Sequence, residues 1–345
     1  MPGRVHPGAA AQLRRRHAVS ASLKAGPRVE AAARLMAHHP ADSTRRQRTA
    51  GRYRLADKVV SRMGYGAMQL SGDGIFGPAR DRDEAVAVLR AAVDAGVDHI
   101  DTAQTYGAGG VNELIREALH PYPDGLALVS KVAARRDEAG ALLLNDNPTQ
   151  LRADIEENLT TLGVEQLTAV SLRVMDNDVP DALFVDQLGV LVRAQDDGLI
   201  GGIGISNVTR GHLLRALEVT EIVCVQNFFN LADRNSLPIV NECSVRNIAF
   251  VPFCPLGYPR TQREAILTNP AVAAVAARHD ATASQVALSW LLALAPNVLL
   301  IPGTRTRTHL AENLRACRLW LEDHDIAGLD AAFLQLHPDR LAQRW

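Results

Sequence analysis

Residues 82–132 begin with RDEAVAVLRAAVDAG (82–96), continue through HIDTA (99–103) and end on LALVSKV (126–132). The first segment is rich in alanine and valine at helical spacing, whereas the other two are short apolar runs that contain β-branched residues. A helical period that alternates with short apolar runs predicts an α/β protein.

The same alternation extends from residue 51 to the end of the chain. Further helices are predicted at 147–163, where Asn147 and Pro148 indicate the start and Gly163 the end, and at 282–295. Eight strands, each followed by a helix, over about 290 residues are typical of a (β/α)8 TIM barrel. The eight predicted strands are MGYGAM (63–68), HIDTA (99–103), LALVSKV (126–132), TAVSLRVM (168–175), GGIGISN (201–207), EIVCVQN (221–227), IAFVPFCP (248–255) and VLLIPG (298–303).

A doubly wound sheet is the alternative fold, because it also alternates strands with helices. Such a sheet would carry a glycine-rich phosphate loop of the form GxGxxG after its first strand. Here GYGAM (64–68) leads into SGDGIFGPARD (71–81) without that pattern. We therefore predict a single TIM-barrel domain over residues 51–345.

Charge is unevenly distributed along the 345 residues. Residues 1–50 contain ten basic and two acidic side chains, whereas the rest of the chain contains 27 basic and 36 acidic ones. An acidic body repels phosphates, which argues against nucleic acid as the main partner. The basic segment lacks the apolar core of a secretory signal. We expect a disordered tail or the product of an upstream start codon, although an arginine-rich, acid-poor segment also resembles an organelle transit peptide.

Cysteine spacing and hydropathy indicate the cellular compartment in which the protein is expected. The four cysteines are widely spaced and form no CxxC pair, which is typical of a reducing compartment and argues against a disulfide scaffold or a structural zinc site. No apolar run approaches the roughly 20 residues that span a membrane. The eleven histidines show no metal-binding spacing such as HExxH. We expect a cytoplasmic protein without a membrane or metal partner, and the sequence does not indicate its oligomeric state.

Polar side chains end one predicted strand after another. In a TIM barrel the active site lies at the C-terminal ends of the strands and in the loops that follow them. We therefore expect the side chains at these positions to converge on one mouth of the barrel. They are Asp101, Tyr106, Lys131, Arg173, Ser206, Asn207, Gln226, Phe253 and the segment 302–305.

Asp101, Tyr106 and Lys131 together could protonate a carbonyl oxygen. A tyrosine is a slow proton donor at neutral pH unless a neighbour stabilises its phenolate, as a nearby lysine ammonium does. Asp101 could hold that lysine charged and oriented. Each residue alone also has an ordinary structural interpretation: a helix cap or ion-pair partner, a loop aromatic and a solvated strand end. Their occurrence at consecutive strand ends favours catalysis.

Several blocks of the chain resemble the aldo-keto reductases, which are NADPH-dependent TIM-barrel enzymes. The blocks are HIDTAQTYG, LVSKV, GGIGISN, VQNFFNLADR, PFCPLG and IPGTRTRTHLAENL, and they occur in order and at barrel spacing from near residue 52 onward. The resemblance implies hydride transfer from NADPH to a small carbonyl substrate, with Asp101, Tyr106 and Lys131 as catalytic residues.

Arg173 stands where the family usually has a histidine as its fourth catalytic residue. A histidine can share a proton with the tyrosine, whereas an arginine stays cationic and only donates hydrogen bonds. Arg173 would therefore stabilise the phenolate of Tyr106 further and bind the carbonyl or a substrate oxyanion. Alternatively, Arg173 pairs with Asp176, which would leave the catalytic set incomplete and the enzyme slow.

Two segments are similar to the bacterial pyridoxal reductase branch of the family: SLRVM (171–175) and GYGAMQLSGDGIFGP (64–78). Pyridoxal carries an aldehyde next to a phenolic oxygen, and that anion would suit a fixed cation at Arg173. The resemblance implies reduction of pyridoxal to pyridoxine, a reaction of vitamin B6 metabolism. Two alternatives stay open: reduction of other aldehydes or ketones, and a slow NADPH-binding sensor or regulatory protein.

The remaining strand-end residues suit the nicotinamide end of the cofactor. Ser206, Asn207 and Gln226 supply hydroxyl and amide groups suited to the nicotinamide carboxamide, and the family uses these positions in that way. Phe253 stands where the family places a ring against the nicotinamide, and a core aromatic is an equally good interpretation from sequence alone.

Residues 302–313 suit the phosphate and adenosine end. Gly303 and Thr304 precede a predicted helix, whose N-terminal N–H groups form an anion site. Arg305 and Arg307 favour an adenosine 2′-phosphate, and therefore NADP over NAD. The remaining predicted cofactor contacts are His309, where the family often has an arginine, Glu312 and Asn313 for the adenine, and Pro255 and Leu256, in a segment that could cover the pyrophosphate or form a plain turn.

Overall fold

The computed structural model describes residues 50–144, 147–175 and 178–334. The predicted tail at 1–50 lies outside the described residues except for Ala50. The strands are β1 (Arg52–Leu55), β2 (Lys58–Ser61), β3 (Tyr65–Gly66), β4 (His99–Asp101), β5 (Ala127–Val132), β6 (Ala134–Arg136), β7 (Leu142–Leu144), β8 (Ala169–Arg173), β9 (Ile203–Ser206), β10 (Cys224–Phe228) and β11 (Ala249–Phe253). The helices are α1 (Arg82–Asp94), α2 (Gly110–Leu119), α3 (Pro148–Leu162), α4 (Asp181–Asp196), α5 (Arg210–Val219), α6 (Leu237–Val245), α7 (Arg260–Leu267), α8 (Pro270–Arg278), α9 (Ala283–Leu294), α10 (Arg307–Arg315) and α11 (Asp323–Leu334).

Parallel strands form the wall of a barrel. Their order is β3-β4-β5-β8-β9-β10-β11, so strands that follow one another along the chain are also neighbours in the sheet, apart from the inserted β6–β7 hairpin. Residues 298–300 close the ring, because Leu300 bridges Met63 on one side and Val298 bridges Phe250 on the other, both in parallel. The predicted (β/α)8 barrel is therefore confirmed.

The eighth predicted strand, 298–303, is shorter than expected and forms isolated bridges instead of a continuous ladder. Leu300 O accepts a hydrogen bond from Gly64 N at 2.7 Å, and Leu300 N donates to Arg62 O at 2.8 Å. Pro302 has no N–H, so the ladder cannot continue through it. The first predicted strand likewise retains only Tyr65–Gly66 as a strand.

The structure contains two antiparallel hairpins that the sequence analysis did not predict. The β1–β2 hairpin pairs Arg52 with Ser61, and its Leu55 and Val60 pack inside the barrel. The β6–β7 hairpin follows β5 directly, after Ala133 takes a positive φ of 74°. These strands are only three or four residues long. β1, β2 and β6 contain polar residues, and the three leucines of β7 are too short an apolar run to predict a strand.

The three helices whose bounds were predicted, at 82–96, 147–163 and 282–295, begin and end within two residues of those bounds. For α3, Asn147 Oδ1 accepts a hydrogen bond from Thr149 N at 2.9 Å, and Gly163 ends the helix in the left-handed conformation at φ 69°. A capping box of Thr282 and Gln285 starts α9. Among the described residues, no helix is both long and apolar enough to cross a membrane.

Side chains of the barrel strands alternate between the interior and the helices outside. Ile100, Val170, Ile205 and Val225 pack outward in the large cluster beneath the helices. A second cluster fills the interior: Leu55, Val60, Ala127, Val129, Ala169, Cys224, Ala249, Val251, Leu299 and Ile301. Side chains on one face of a strand recur every second residue. On a wall strand, the interior side chain that follows the last of these apolar residues therefore lies at the C-terminal mouth.

Arg62 ties β2 and β3 to the end of α9. Its guanidinium donates to four backbone carbonyls, those of Val298 at 3.0 Å, Leu292 at 2.7 Å, Ala295 at 2.6 Å and Ala50 at 3.1 Å. Burial lowers the pKa of Arg62 to about 10, so the group is still charged at neutral pH. A cation at the C-terminal carbonyls of a helix is favoured by the helix dipole.

We expect Arg62→Met to destabilise the fold. Methionine keeps most of the apolar stem but leaves four carbonyls without their charged donor, which should lower the free energy of unfolding by about 3 kcal/mol. Chemical denaturation would measure this loss. Arg90→Met is the matched control, because Arg90 is exposed and donates to one carbonyl, that of Ala118. Equal stability of the two variants would contradict the prediction.

Candidate active site

Asp101 and Lys131 form a buried ion pair at the mouth of the barrel. Lys131 Nζ contacts Asp101 Oδ1 and also donates to Thr102 O at 3.0 Å. Gln226 Nε2 donates to the second carboxylate oxygen, Asp101 Oδ2, at 2.8 Å. Both carboxylate oxygens thus have donors, and the lysine ammonium is held by a carboxylate and a carbonyl. The structure brings together these three residues, which the sequence analysis assigned to the site.

Tyr106 lies beside this pair, at the start of a 3₁₀ turn (Tyr106–Gly109) that follows β4. Its side chain is 8% exposed, and Lys131 Nζ lies 5.2 Å from the centroid of its ring. The loop 71–80 packs closely on this turn, because a Cβ at Gly107 would lie 2.8 Å from Gly77 O. The phenol ring is therefore largely shielded from solvent and lies next to a cation.

Arg173 is the last residue of β8 and faces the mouth. It is in register with Ser206, while Ser171, two residues earlier, is in register with Lys131. Since Lys131 faces the interior, Ser171 and Arg173 face it as well. Arg173 is half-buried, and no carboxylate of the described residues forms an ion pair with it. The alternative partner, Asp176, lies outside the described residues.

Arg136 is a cation of the mouth that the sequence analysis missed. It ends β6, and its Nε donates to Thr105 O at 2.9 Å while Nη1 donates to Gly140 O. Burial and the nearby Arg173 lower the pKa of Arg136, and nearby Tyr106 opposes them. Nothing in the local sequence AARRDEAG (133–140) indicates that this arginine turns back toward the preceding strand end; only the hairpin brings it there.

The three residues predicted to bind the nicotinamide carboxamide meet at the ends of β9 and β10. Asn207, which has a positive φ of 59°, donates from its backbone N to Gln226 O at 2.9 Å. Its side-chain Nδ2 donates to Val174 O at 2.8 Å. Ser206 is buried next to it. Because Gln226 uses Nε2 on Asp101, its Oε1 is the atom that can still accept a hydrogen bond from a ligand.

Phe253 lies at the end of β11 with its ring partly exposed. Phe228 contacts that ring edge-to-face, with 5.7 Å between the ring centroids. The partial exposure favours a ring available to a ligand over a core aromatic. Of the two residues predicted to start the segment over the pyrophosphate, Pro255 is buried and Leu256 is half-buried.

Residues 302–309 lead into the N-terminus of α10, where the sequence analysis predicted an anion site. Thr306 caps α10 by accepting a hydrogen bond from His309 N at 3.3 Å. The buried Tyr65 hydroxyl donates to Thr304 O at 2.6 Å, which fixes the backbone before the cap. Gly303 is exposed, and a Cβ there would lie 2.6 Å from Gly66 O, so only glycine allows this close approach.

The two arginines of this segment, Arg305 and Arg307, differ in their contacts. Arg307 donates from Nη2 to Glu84 Oε2 at 2.9 Å and from its backbone N to Oε1 at 3.1 Å. These bonds lower the pKa of Glu84. Within the part of the chain that the structure describes, the exposed Arg305 forms no hydrogen bond or ion pair. Of the predicted adenine contacts, Glu312 accepts from Thr282 Oγ1 at 2.6 Å, and Asn313 is buried.

Comparisons with known proteins agree with the barrel fold. The sequence model of the Aldo/keto reductase family matches residues 62–333. Pyridoxine 4-dehydrogenase of Escherichia coli is 44% identical over 81% of this chain and 96% of the relative, and an uncharacterised oxidoreductase of Schizosaccharomyces pombe is 34% identical over 81% and 89%. A solved structure, of a thermostable aldo-keto reductase with the inhibitor epalrestat, is 27% identical, with a TM-score of 0.69 over 81% of this chain and 99% of that one.

Proposed function

The chain belongs to the aldo/keto reductase family, and from this we propose that it reduces pyridoxal to pyridoxine with NADPH. The observation that carries the proposal is the buried set of Asp101, Lys131 and Tyr106 at the barrel mouth, with Gln226 on the second carboxylate oxygen. Such a set can protonate a carbonyl oxygen but provides no electrons, so the reaction needs a hydride donor.

Tyr106 is the proton donor in the proposed reaction. When bound, NADPH supplies the hydride that adds to the carbonyl carbon and is itself oxidised to NADP⁺. The Tyr106 hydroxyl donates its proton to the carbonyl oxygen, so the C=O double bond becomes a C–H and an O–H bond. Lys131 stabilises the phenolate left on Tyr106, and Asp101 keeps the ammonium in place. The phenolate then regains a proton from solvent.

The residues at the mouth fit NADPH. Ser206, Asn207 and Gln226 offer hydroxyl and amide groups on adjacent strand ends, and Gln226 Oε1 can accept a hydrogen bond from the carboxamide. The exposed backbone at Gly303 and the capped start of α10 suit the phosphates. Arg305, an exposed cation, suits the adenosine 2′-phosphate. Pro255, Leu256, Arg307, His309, Glu312 and Asn313 complete the proposed cofactor site.

Glu84 should weaken the binding of NADPH. Its carboxylate pairs with Arg307 and would repel a 2′-phosphate placed there, so Glu84→Gln should lower the Kd for NADPH about threefold. The Kd for NADH should not change, because NADH lacks that phosphate. Fluorescence titration measures both constants, with the exposed Glu113→Gln as control. A Glu84→Gln variant that binds both cofactors as the wild type does would show that Arg307 makes no contact with the 2′-phosphate.

Pyridoxal is the proposed substrate for two reasons. The 44% identical relative is a pyridoxine 4-dehydrogenase, whose name contains pyridoxine, the proposed product. In addition, Arg173 faces the mouth without an ion-pair partner among the described residues, so it can bind the phenolic oxygen next to the aldehyde. We propose that the reaction belongs to vitamin B6 metabolism in the cytoplasm, where the four free cysteines would stay reduced.

Arg173→Ala should raise the KM for pyridoxal about tenfold more than the KM for benzaldehyde. The variant removes a charged donor that only pyridoxal can use, since benzaldehyde has no oxygen substituent on its ring. Steady-state kinetics with both aldehydes at saturating NADPH would measure the difference. An equal rise in the two KM values would show that Arg173 does not bind the phenolate.

The experiment that tests the function is NADPH oxidation by the purified chain with pyridoxal, with NADH in parallel. Rapid turnover specific to NADPH supports the proposal. Turnover with other aldehydes or ketones but not with pyridoxal would assign the chain a different carbonyl substrate. Tight NADPH binding without turnover on any carbonyl would point to a sensor or regulatory protein.

A further inference from the structure

Two arginines from different parts of the chain lie at the mouth of the barrel, where Tyr106 also lies. Arg173 ends β8 inside the mouth, and Arg136 ends the first strand of the β6–β7 hairpin. The lowered pKa of Arg136 has the nearness of Arg173 among its causes, after burial, and Tyr106 also acts on it. In residues 50–144, 147–175 and 178–334, no carboxylate forms an ion pair with either guanidinium.

The position of Arg136 is fixed by backbone atoms. Its Nε donates to Thr105 O at 2.9 Å, one residue before Tyr106, and its Nη1 donates to Gly140 O in the hairpin turn. These bonds use two sides of the guanidinium and leave Nη2, which remains able to donate to a ligand. Carbonyl oxygens orient the group but do not neutralise its charge.

The hairpin also contacts a second loop at the mouth. The ring of Phe76, in the loop 71–80, lies so close to Gly140 that a Cβ there would be 2.8 Å from two ring atoms. The same loop packs on the turn that carries Tyr106. The hairpin turn that accepts a hydrogen bond from Arg136 is therefore packed against an aromatic side chain.

Arg136 and Arg173 are like charges with no carboxylate paired to either one among the described residues, so a bound anion would reduce their mutual repulsion. Guanidinium groups are suited to this task, because each offers several donors in a planar fork. Building on the proposed reduction of an aldehyde, we propose that Arg136 and Arg173 form one subsite for an oxyanion carried by the aldehyde substrate. Arg136 is then a residue that determines specificity, in addition to Arg173.

The test compares three aldehydes in Arg136→Gln: pyridoxal, pyridoxal 5′-phosphate and pyridine-4-carboxaldehyde. Pyridoxal carries the ring oxyanion, the phosphate ester carries a phosphate as well, and pyridine-4-carboxaldehyde carries neither. The kcat/KM for pyridoxal, divided by that for pyridine-4-carboxaldehyde, should fall about tenfold or more, as expected for loss of a charged hydrogen bond. The ratio removes any effect of the variant on the position of Tyr106, because that effect applies to all three aldehydes.

Arg135→Gln is the matched control, since it removes the same charge from the neighbouring, exposed position of the hairpin. Its ratio should equal that of the wild type. A fall confined to the phosphate ester would also support the subsite and would identify the phosphate as the anion. Equal losses with all three aldehydes, or unchanged ratios to pyridine-4-carboxaldehyde for both pyridoxal and pyridoxal 5′-phosphate, would overturn the inference.

A failure of the proposed function would give a different result from a failure of the subsite. A wild-type protein that reduces none of the three aldehydes would overturn the proposed reduction and, with it, the subsite. A wild-type protein that reduces pyridine-4-carboxaldehyde but neither anionic aldehyde would leave aldehyde reduction in place, but it would overturn both the subsite and pyridoxal as the substrate.

Discussion

Replacing Tyr106 with phenylalanine should lower the kcat for aldehyde reduction about 100-fold or more. The variant keeps the ring beside Lys131 but removes the only hydroxyl proposed to protonate the carbonyl oxygen, and loss of a general acid has an effect of this size. The Kd for NADPH should stay near the wild-type value, because the phenol hydroxyl is proposed to act on the substrate. Single-turnover kinetics together with fluorescence titration of NADPH separate the two effects.

Tyr122→Phe is the matched control for this variant. Its hydroxyl donates to Leu162 O at 2.6 Å, between α2 and α3 and away from the mouth, so its loss should not change turnover. Wild-type turnover in Tyr106→Phe would remove Tyr106 from the mechanism and would call for another proton donor at the mouth.

Replacing Lys131 with methionine should also lower kcat, by about 100-fold, because the phenolate on Tyr106 loses its nearest cation. The substitution leaves Asp101 buried, with Gln226 as its remaining side-chain donor, so the free energy of unfolding should fall as well. The thermal midpoint and kcat, measured on the same preparation, report these two losses separately.

A double variant distinguishes a slow enzyme from a misfolded one. Asp101→Asn with Lys131→Met removes both buried charges, so it should be at least as stable as Lys131→Met alone and just as slow. Lys58→Met is the control for the substitution itself, since Lys58 donates to Leu126 O at the opposite end of the barrel. Recovery of wild-type turnover in the double variant would show that Lys131 acts on stability and not on the reaction.

Much of the barrel could be predicted because its strands carry a local signal. Each wall strand is a short apolar run, and each following helix has its own period and caps, as the boundaries of α3 show. The strand predicted at 298–303 is shorter in the structure, because hydrophobic periodicity does not show that Pro302 lacks the N–H needed to continue the ladder. The β6–β7 hairpin has only a weak local signal, because LLL (142–144) is apolar but three residues long and its partner ARR (134–136) is polar.

The sequence by itself determined which side chains face the mouth. In parallel strands the side-chain period is two, so the positions of Asp101, Lys131, Arg173, Ser206 and Gln226 at the strand ends follow from the order of residues within each strand. The acidic excess of residues 51–345 and the helix caps can likewise be read directly from the sequence. This information suffices for a TIM barrel with a polar mouth.

Only the tertiary structure decided which of these groups contact one another. Gln226 donates to Asp101 across 125 positions of sequence, and Arg307 pairs with Glu84 across 223. Arg136 reaches Thr105 because Ala133 turns the chain back after β5. Such contacts depend on closure of the barrel and on the path of its loops, and neither is encoded in the periodicity of any single segment. The physical reason is that a strand determines the direction of its side chains, whereas the fold determines their neighbours.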